Sequence, residues 1–184
     1  MDRLAREIAA AGIRHVTGDI VADASAFTDK PIPEGWKRRY LSAAYAAPVS
    51  ALSLNENVVW VAVTPGTRRA DVGLEPASTV FTVNNQVTMR PGRTGASIVV
   101  YRRSEGDLDV RGWIGMKSHT RRYSVVVDDP PRFAAGALRA SLAALGVTVG
   151  GHLREGTTPA SATDVASMES PPLVDIISQM NRES

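Results

Sequence analysis

With 184 residues and 43% hydrophobic content, the chain has room for one ordinary domain or two small ones and can bury a real core, which excludes a disordered chain. A formal net charge of +2 and the absence of cysteine exclude a strongly basic or acidic chain, disulfides and thiolate metal sites. No apolar run approaches the ~20 residues of a membrane-spanning helix, and Met1-Asp2-Arg3-Leu4-Ala5-Arg6-Glu7 carries no signal-peptide pattern.

Leu4, Ile8, Ala11 and Gly12 follow a helical period, and Gly12 is placed to end that helix before a strand at His15-Val16-Thr17-Gly18-Asp19-Ile20-Val21. The texture then changes. Val58 to Val63, Thr79 to Val83, Ser97 to Tyr101 and Leu108 to Ile114 are short, β-branched or aromatic runs separated by Gly, Pro and Asn, with no room for helices between them. They predict a small all-β unit, with hinges at Pro65-Gly66 and around Lys117 to Thr120. Further on, Tyr123 to Val127 reads as a buried strand and Asp128-Asp129 as a helix cap ahead of Pro130-Pro131. A helix from Phe133 to Leu145 ended by Gly146 follows, then a strand at Val147-Thr148-Val149.

Strand, helix and strand in this short span predict a compact α/β unit with helices packed on a sheet, in which Thr17 to Val21 and Tyr123 to Val127 share one sheet. The expected fold class is therefore an α/β (α+β) domain, residues 1–63 and 119–160, with a small all-β domain, residues 64–118, inserted in it. Residues 161–184 leave both as a helical segment, since Leu173, Ile176, Ile177 and Met180 share a helical face behind Pro171-Pro172.

Few side chains stand out chemically. The pairs Arg38-Arg39, Arg68-Arg69, Arg102-Arg103 and Arg121-Arg122 are scattered, and read as solvated strand ends and loops rather than a nucleic-acid footprint. His15, His119 and His152 have no partner at metal-ligand spacing, so no metal site is expected. Asp128-Asp129 reads as an N-cap rather than an acid/base pair, and Gly150-Gly151 as turn residues, because no Lys-Ser/Thr follows as in a phosphate loop. Asp23, Ser25 and Phe27 alternate onto one face; Phe27 is expected in the core, with Asp23 and Ser25 bonding local backbone. Tyr45 leaves two readings open: a core-packed phenol with its hydroxyl satisfied, or a residue that meets substrate.

Four segments occur in a telling order. They are Gly18-Asp19-Ile20 with Asp23-Ala24-Ser25-Ala26-Phe27; Gly35-Trp36; Tyr45-Ala46-Ala47-Pro48-Val49-Ser50-Ala51-Leu52; and Ser170-Pro171-Pro172-Leu173 with Met180-Asn181-Arg182-Glu183-Ser184. Together they resemble the D-alanyl-D-alanine carboxypeptidase/endopeptidase family, the class C low-molecular-mass penicillin-binding proteins, over nearly the whole chain. The resemblance implies a serine-type peptidase of the cell wall, a penicillin-binding hydrolase that acts in the periplasm or on the cell-wall side of the membrane. Peptidoglycan stem peptides and β-lactams are its expected partners, proteolysis without a cofactor its chemistry, and nucleic acid no part of it. It also implies two non-catalytic domains nested between the family's Ser-x-x-Lys and Ser-x-Asn motifs.

Those motifs are not complete here. None of the three lysines, Lys30, Lys37 and Lys117, has a serine three positions before it, and Lys-Thr-Gly is absent. The nucleophile is expected upstream of Met1 and the remaining groups downstream of Ser184. By the resemblance, Ser184 is the catalytic first residue of a Ser-x-Asn motif cut after its serine, and Tyr45, with Tyr40, meets the side chain of the stem peptide. Trp36-Lys37-Arg38-Arg39-Tyr40 is cationic where some relatives carry acidic residues, and would repel an ammonium group and attract a carboxylate. On its own the chain should be inactive. The alternative is a stand-alone module that binds the cell wall or a protein partner without catalysis.

Overall fold

The structure, a computed structural model, describes residues 1–27, 30–103 and 106–183. Helix α1 (Asp2–Ala10) buries Ala5 and ends at Gly12, which takes φ +89°. Helix α2 (Pro130–Ala144) starts as the sequence predicts: Asp129 accepts a hydrogen bond from the Arg132 amide at 2.9 Å, and prolines occupy the first turn, where a missing N–H costs nothing. It stops at Gly146, with φ +76°. Ser141 Oγ donates to Asp2 Oδ1 at 2.7 Å across the two helices, and Ala5, Leu142 and Val147 form their shared core with Ile8, Leu138 and Ile20.

Two short parallel pairs lie beside these helices. Strand β1 (His15–Val16) pairs with β9 (Thr148–Val149), and β2 (Ile20–Ala22) with β10 (Leu153–Glu155). Gly150-Gly151 is the turn between β9 and β10, as predicted.

The remaining strands form two three-stranded sheets. In one, β3 (Val58–Thr64) is the centre, antiparallel to β4 (Asp71–Glu75) and to β8 (Arg121–Val126). In the other, β7 (Asp107–Gly115) is the centre, parallel to β5 (Thr82–Arg90) and antiparallel to β6 (Ala96–Arg102). Val61, Val63, Val87, Leu108, Val110 and Ile114 close one core between them, the arrangement of a small sandwich. A third cluster, Val59, Val127 and Phe133, joins the sandwich to α2. At that joint Thr79 N donates to Gly136 O at 3.2 Å, and a Cβ on Gly136 would lie 2.4 Å from Ser78 Oγ, so only glycine lets helix and loop approach this closely.

Three expectations are corrected. Thr17 to Val21 and Tyr123 to Val127 do not share a sheet: β2 pairs with β10, whereas β8 pairs with β3. The reason is burial, since β3 is buried at Val58, Val59, Val61, Ala62 and Val63 and its backbone needs a neighbour on both edges. The strand predicted at Thr79 to Val83 begins only at Thr82 and continues to Arg90, because residues 78–81 turn onto α2. Phe27 is 56% exposed, not in the core, on a turn closed by Phe27 N to Ala24 O at 3.3 Å.

Candidate functional site

Residues 30–52 form no long element; two single 3-10 turns, Arg38–Tyr40 and Ala44–Ala46, carry the two tyrosines singled out in the sequence. Backbone bonds from Tyr40 N to Lys37 O, Ala43 N to Tyr40 O and Ala46 N to Ala43 O link the turns into one run. The run is pinned at its end, where Val49 N donates to Pro31 O at 2.7 Å and Asn57 Nδ2 to Pro48 O at 2.7 Å.

This brings Tyr40 and Tyr45 together, with ring centroids 6.4 Å apart and planes tilted by 51°. Tyr45 is 73% exposed, which removes the core-packed alternative. The Arg39 guanidinium lies 4.9 Å from the centre of the Tyr40 ring and donates to its hydroxyl at 3.0 Å. Glu34, which sequence reasoning passed over, is engaged by Lys30 at 2.9 Å. The outcome is an exposed aromatic platform with a cationic edge; further along the same segment, Pro31, Val49 and Ser50 line a cavity of about 310 Å³ together with Ala24, Phe27 and Pro130. Ser184, the predicted catalytic residue, lies outside the described residues.

The carboxylates near this face are structural. Asp129 caps α2, and Asp128 pairs with Arg102 at 2.6 Å, so the two do not form an acid/base pair. Asp23 accepts from Ser25 Oγ at 2.6 Å, from Ser25 N at 3.0 Å and from Thr158 N at 2.6 Å. These donors, the Ser25 hydroxyl first, hold its carboxyl well below the ordinary range. Asp23 thus ties the segment after β10 to the end of β2. Asp19 is lowered in the same way, by the His152 amide and then Arg154. His15 Nδ1 lies 2.6 Å from Thr148 Oγ1, and no cluster of three metal-ligating side chains occurs among the described residues.

A depressed folded-state value means that the stability Asp23 contributes is present above the unfolded carboxylate value, about 4, and is lost as pH falls below it. Asp23→Asn should therefore lower the melting temperature at pH 7 and should match the parent increasingly closely from pH 4 down to pH 2. A deficit that stays constant across that range, followed by circular dichroism, would show that the carboxylate charge has no part in the clamp.

Residues 1–184 match the D-Ala-D-Ala carboxypeptidase 3 (S13) family throughout. The chain belongs to that family. Among curated relatives, a D-alanyl-D-alanine carboxypeptidase of Actinomadura sp. (strain R39) is 28% identical over 173 residues, covering 89% of this chain and 32% of its own length. The chain thus spans about a third of that relative. Among solved structures, penicillin binding protein 4 (dacB) of Haemophilus influenzae superposes with a TM-score of 0.68 at 21% identity, over 97% of this chain and 40% of that one. The same protein in complex with a β-lactam matches with a TM-score of 0.55 at 18% identity, over 97% and 38%. These two likenesses concern the fold: a mixed α and β chain with small sheets, similar to part of a penicillin-binding protein. The family segments fall on distinct parts of that fold, with Asp23 and Ser25 at the end of β2, Tyr45 on the second 3-10 turn, and Leu173 and Met180 on helix α3 (Leu173–Glu183).

Proposed function

We propose that this chain forms the non-catalytic nested domains of a serine D-Ala-D-Ala carboxypeptidase/endopeptidase that acts on peptidoglycan stem peptides outside the cytoplasm. One observation carries the proposal: the S13 family match runs from residue 1 to 184, yet the chain holds no Ser-x-x-Lys and no Lys-Thr-Gly. In such an enzyme the nucleophilic serine, on a catalytic domain upstream of residue 1, attacks the D-Ala-D-Ala peptide carbonyl. Its lysine takes the hydroxyl proton, D-Ala leaves, and water hydrolyses the acyl-enzyme. A β-lactam ring acylates the same serine. Neither route requires a metal or organic cofactor.

Under this reading, the chain divides into an α/β part, an inserted β part and the returning segment 161–184; the inserted part expected at 64–118 takes in β3 and β8 as well, because both pair with the strands of the sandwich and share its core. Helix α3 supports it, because Leu173, Val174, Ile176 and Ile177 are all exposed, an apolar face of the kind that packs against further protein. The platform of Tyr40, Tyr45 and Arg39 would then border the cleft. With Glu34 engaged by Lys30, a carboxylate-bearing stem side chain suits it better than an ammonium.

The test is Ser184→Ala in a longer polypeptide that includes the upstream Ser-x-x-Lys. As part of the proton relay, Ser184 should leave thermal unfolding nearly unchanged when replaced, while β-lactam acylation slows by roughly 10²-fold or more. A lowered melting temperature with an unchanged acylation rate would mean that Ser184 only supports its helix.

A further inference from the structure

The arginine pairs that look scattered along the sequence are gathered by the fold. Strands β3, β5 and β7 end, and β4, β6 and β8 begin, at one end of the sandwich. The three turns at that end are fastened to one another. Met116 N donates to Arg90 O and Lys117 N to Arg93 O, each at 3.1 Å, Ser118 Oγ donates to Gly95 O at 2.8 Å, and the hydroxyls of Thr120 and Thr64 meet at 2.9 Å.

These turns and the residues flanking them, 64–71, 90–96 and 115–121, hold six cations, Arg68, Arg69, Arg90, Arg93, Lys117 and Arg121, against one carboxylate, Asp71. All six cations are exposed. None makes an ion pair among the described residues, whereas Arg102, Arg103, Arg111 and Arg122, elsewhere on the same sandwich, all face carboxylates. Six against one makes this end +5, so with +2 for the whole chain the remainder is −3. The molecule is electrically polar.

We infer that this basic end of the sandwich docks on an anionic phospholipid surface. Guanidinium groups match phosphate oxygens in geometry as well as in charge. The apolar part of the tip favours lipid over a soluble polyanion: Met116, 45% exposed, stands between Gly115 and Lys117, and Arg90 lies 4.2 Å over the ring of Trp113. A thioether gains from reaching beneath a layer of phosphates and gains nothing on a dissolved chain of them. Orientation follows. Asn57, just before β3 at the opposite end, holds Pro48 and with it the segment that bears Tyr40 and Tyr45, so docking through the basic end points the aromatic platform away from the membrane.

Co-sedimentation of the 184-residue chain with vesicles tests this. Binding is expected to vesicles of equal phosphatidylcholine and phosphatidylglycerol, not to phosphatidylcholine alone, and should weaken as salt is raised. Arg68→Gln combined with Arg69→Gln should reduce the partition coefficient by roughly tenfold or more, without lowering the melting temperature. Met116→Ser should weaken vesicle binding several-fold while leaving any binding to inorganic polyphosphate unchanged. Arg3→Gln combined with Arg6→Gln, on α1, should change neither. The inference is overturned by binding to polyphosphate but not to vesicles, by equal binding to both vesicle types, by equal losses in the α1 and turn variants, or by no sedimentation.

Discussion

Incubated with a fluorescent penicillin, the 184-residue chain should form no covalent adduct. Acyl transfer in this family uses a serine with an amine three residues on, and here Phe27, Glu34 and Ile114 hold the positions three before Lys30, Lys37 and Lys117. Among the described residues two serine hydroxyls donate to a carboxylate, Ser141 to Asp2 between the two helices, and Ser25 to Asp23. The Asp23 carboxylate is held well below its ordinary range, which makes it a poor proton acceptor and leaves Ser25 an unactivated alcohol. The difference from an intact enzyme should therefore be all or none on the assay's scale. Intact mass spectrometry reads it directly, with a penicillin-binding enzyme that carries Ser-x-x-Lys as positive control. A single β-lactam mass added to any serine of the short chain would overturn both this expectation and the assignment of the nucleophile to another domain.

The largest loss of stability should come from Phe133→Ala. Phe133 is fully buried, meets Phe81 edge-on with centroids 5.8 Å apart, and sits in the cluster that joins α2 to the sandwich through Val59 and Val127. Its own carbonyl accepts from Ser78 Oγ at 3.1 Å, so the helix is held rigidly against the loop and cannot close over a void. Truncation should then cost about 3–5 kcal/mol, a large part of the ~5–15 kcal/mol that a domain has in total. Phe27→Ala makes the same chemical change at an exposed site and should cost within ~0.5 kcal/mol. Urea unfolding compares the two; similar midpoints would mean that α2 and the sandwich do not depend on this joint.

Much of this protein could be read from local chemistry. An N-cap carboxylate before two prolines and a glycine after Leu145 define α2 without reference to anything distant, and the β-branched runs at β3, β6 and β7 are strands because their side chains crowd every other backbone. The ordered segments from Gly18 to Ser184 were enough to point to the family. Strand β4 was missed although Asp71-Val72-Gly73-Leu74-Glu75 alternates cleanly, because a glycine in the middle and a proline after it read as turn chemistry. Strand β10 is three residues long, too short to show a period.

Other features were decided only in three dimensions. Which strands pair depends on where buried backbone groups find partners: β3 needed β4 and β8, so β8 left the sheet that periodicity had assigned to it. The meeting of Tyr40 with Tyr45 depends on two consecutive 3-10 turns that no hydrophobic pattern announces. The six cations of the basic end, none in an ion pair among the described residues, lie in and beside three turns from residue 68 to 121, and a charge census along the chain dilutes them among the other arginines. Periodicity and capping act over a few residues and are therefore written in order along the chain. Sheet pairing and surface potential sum over residues that only the folded backbone brings together.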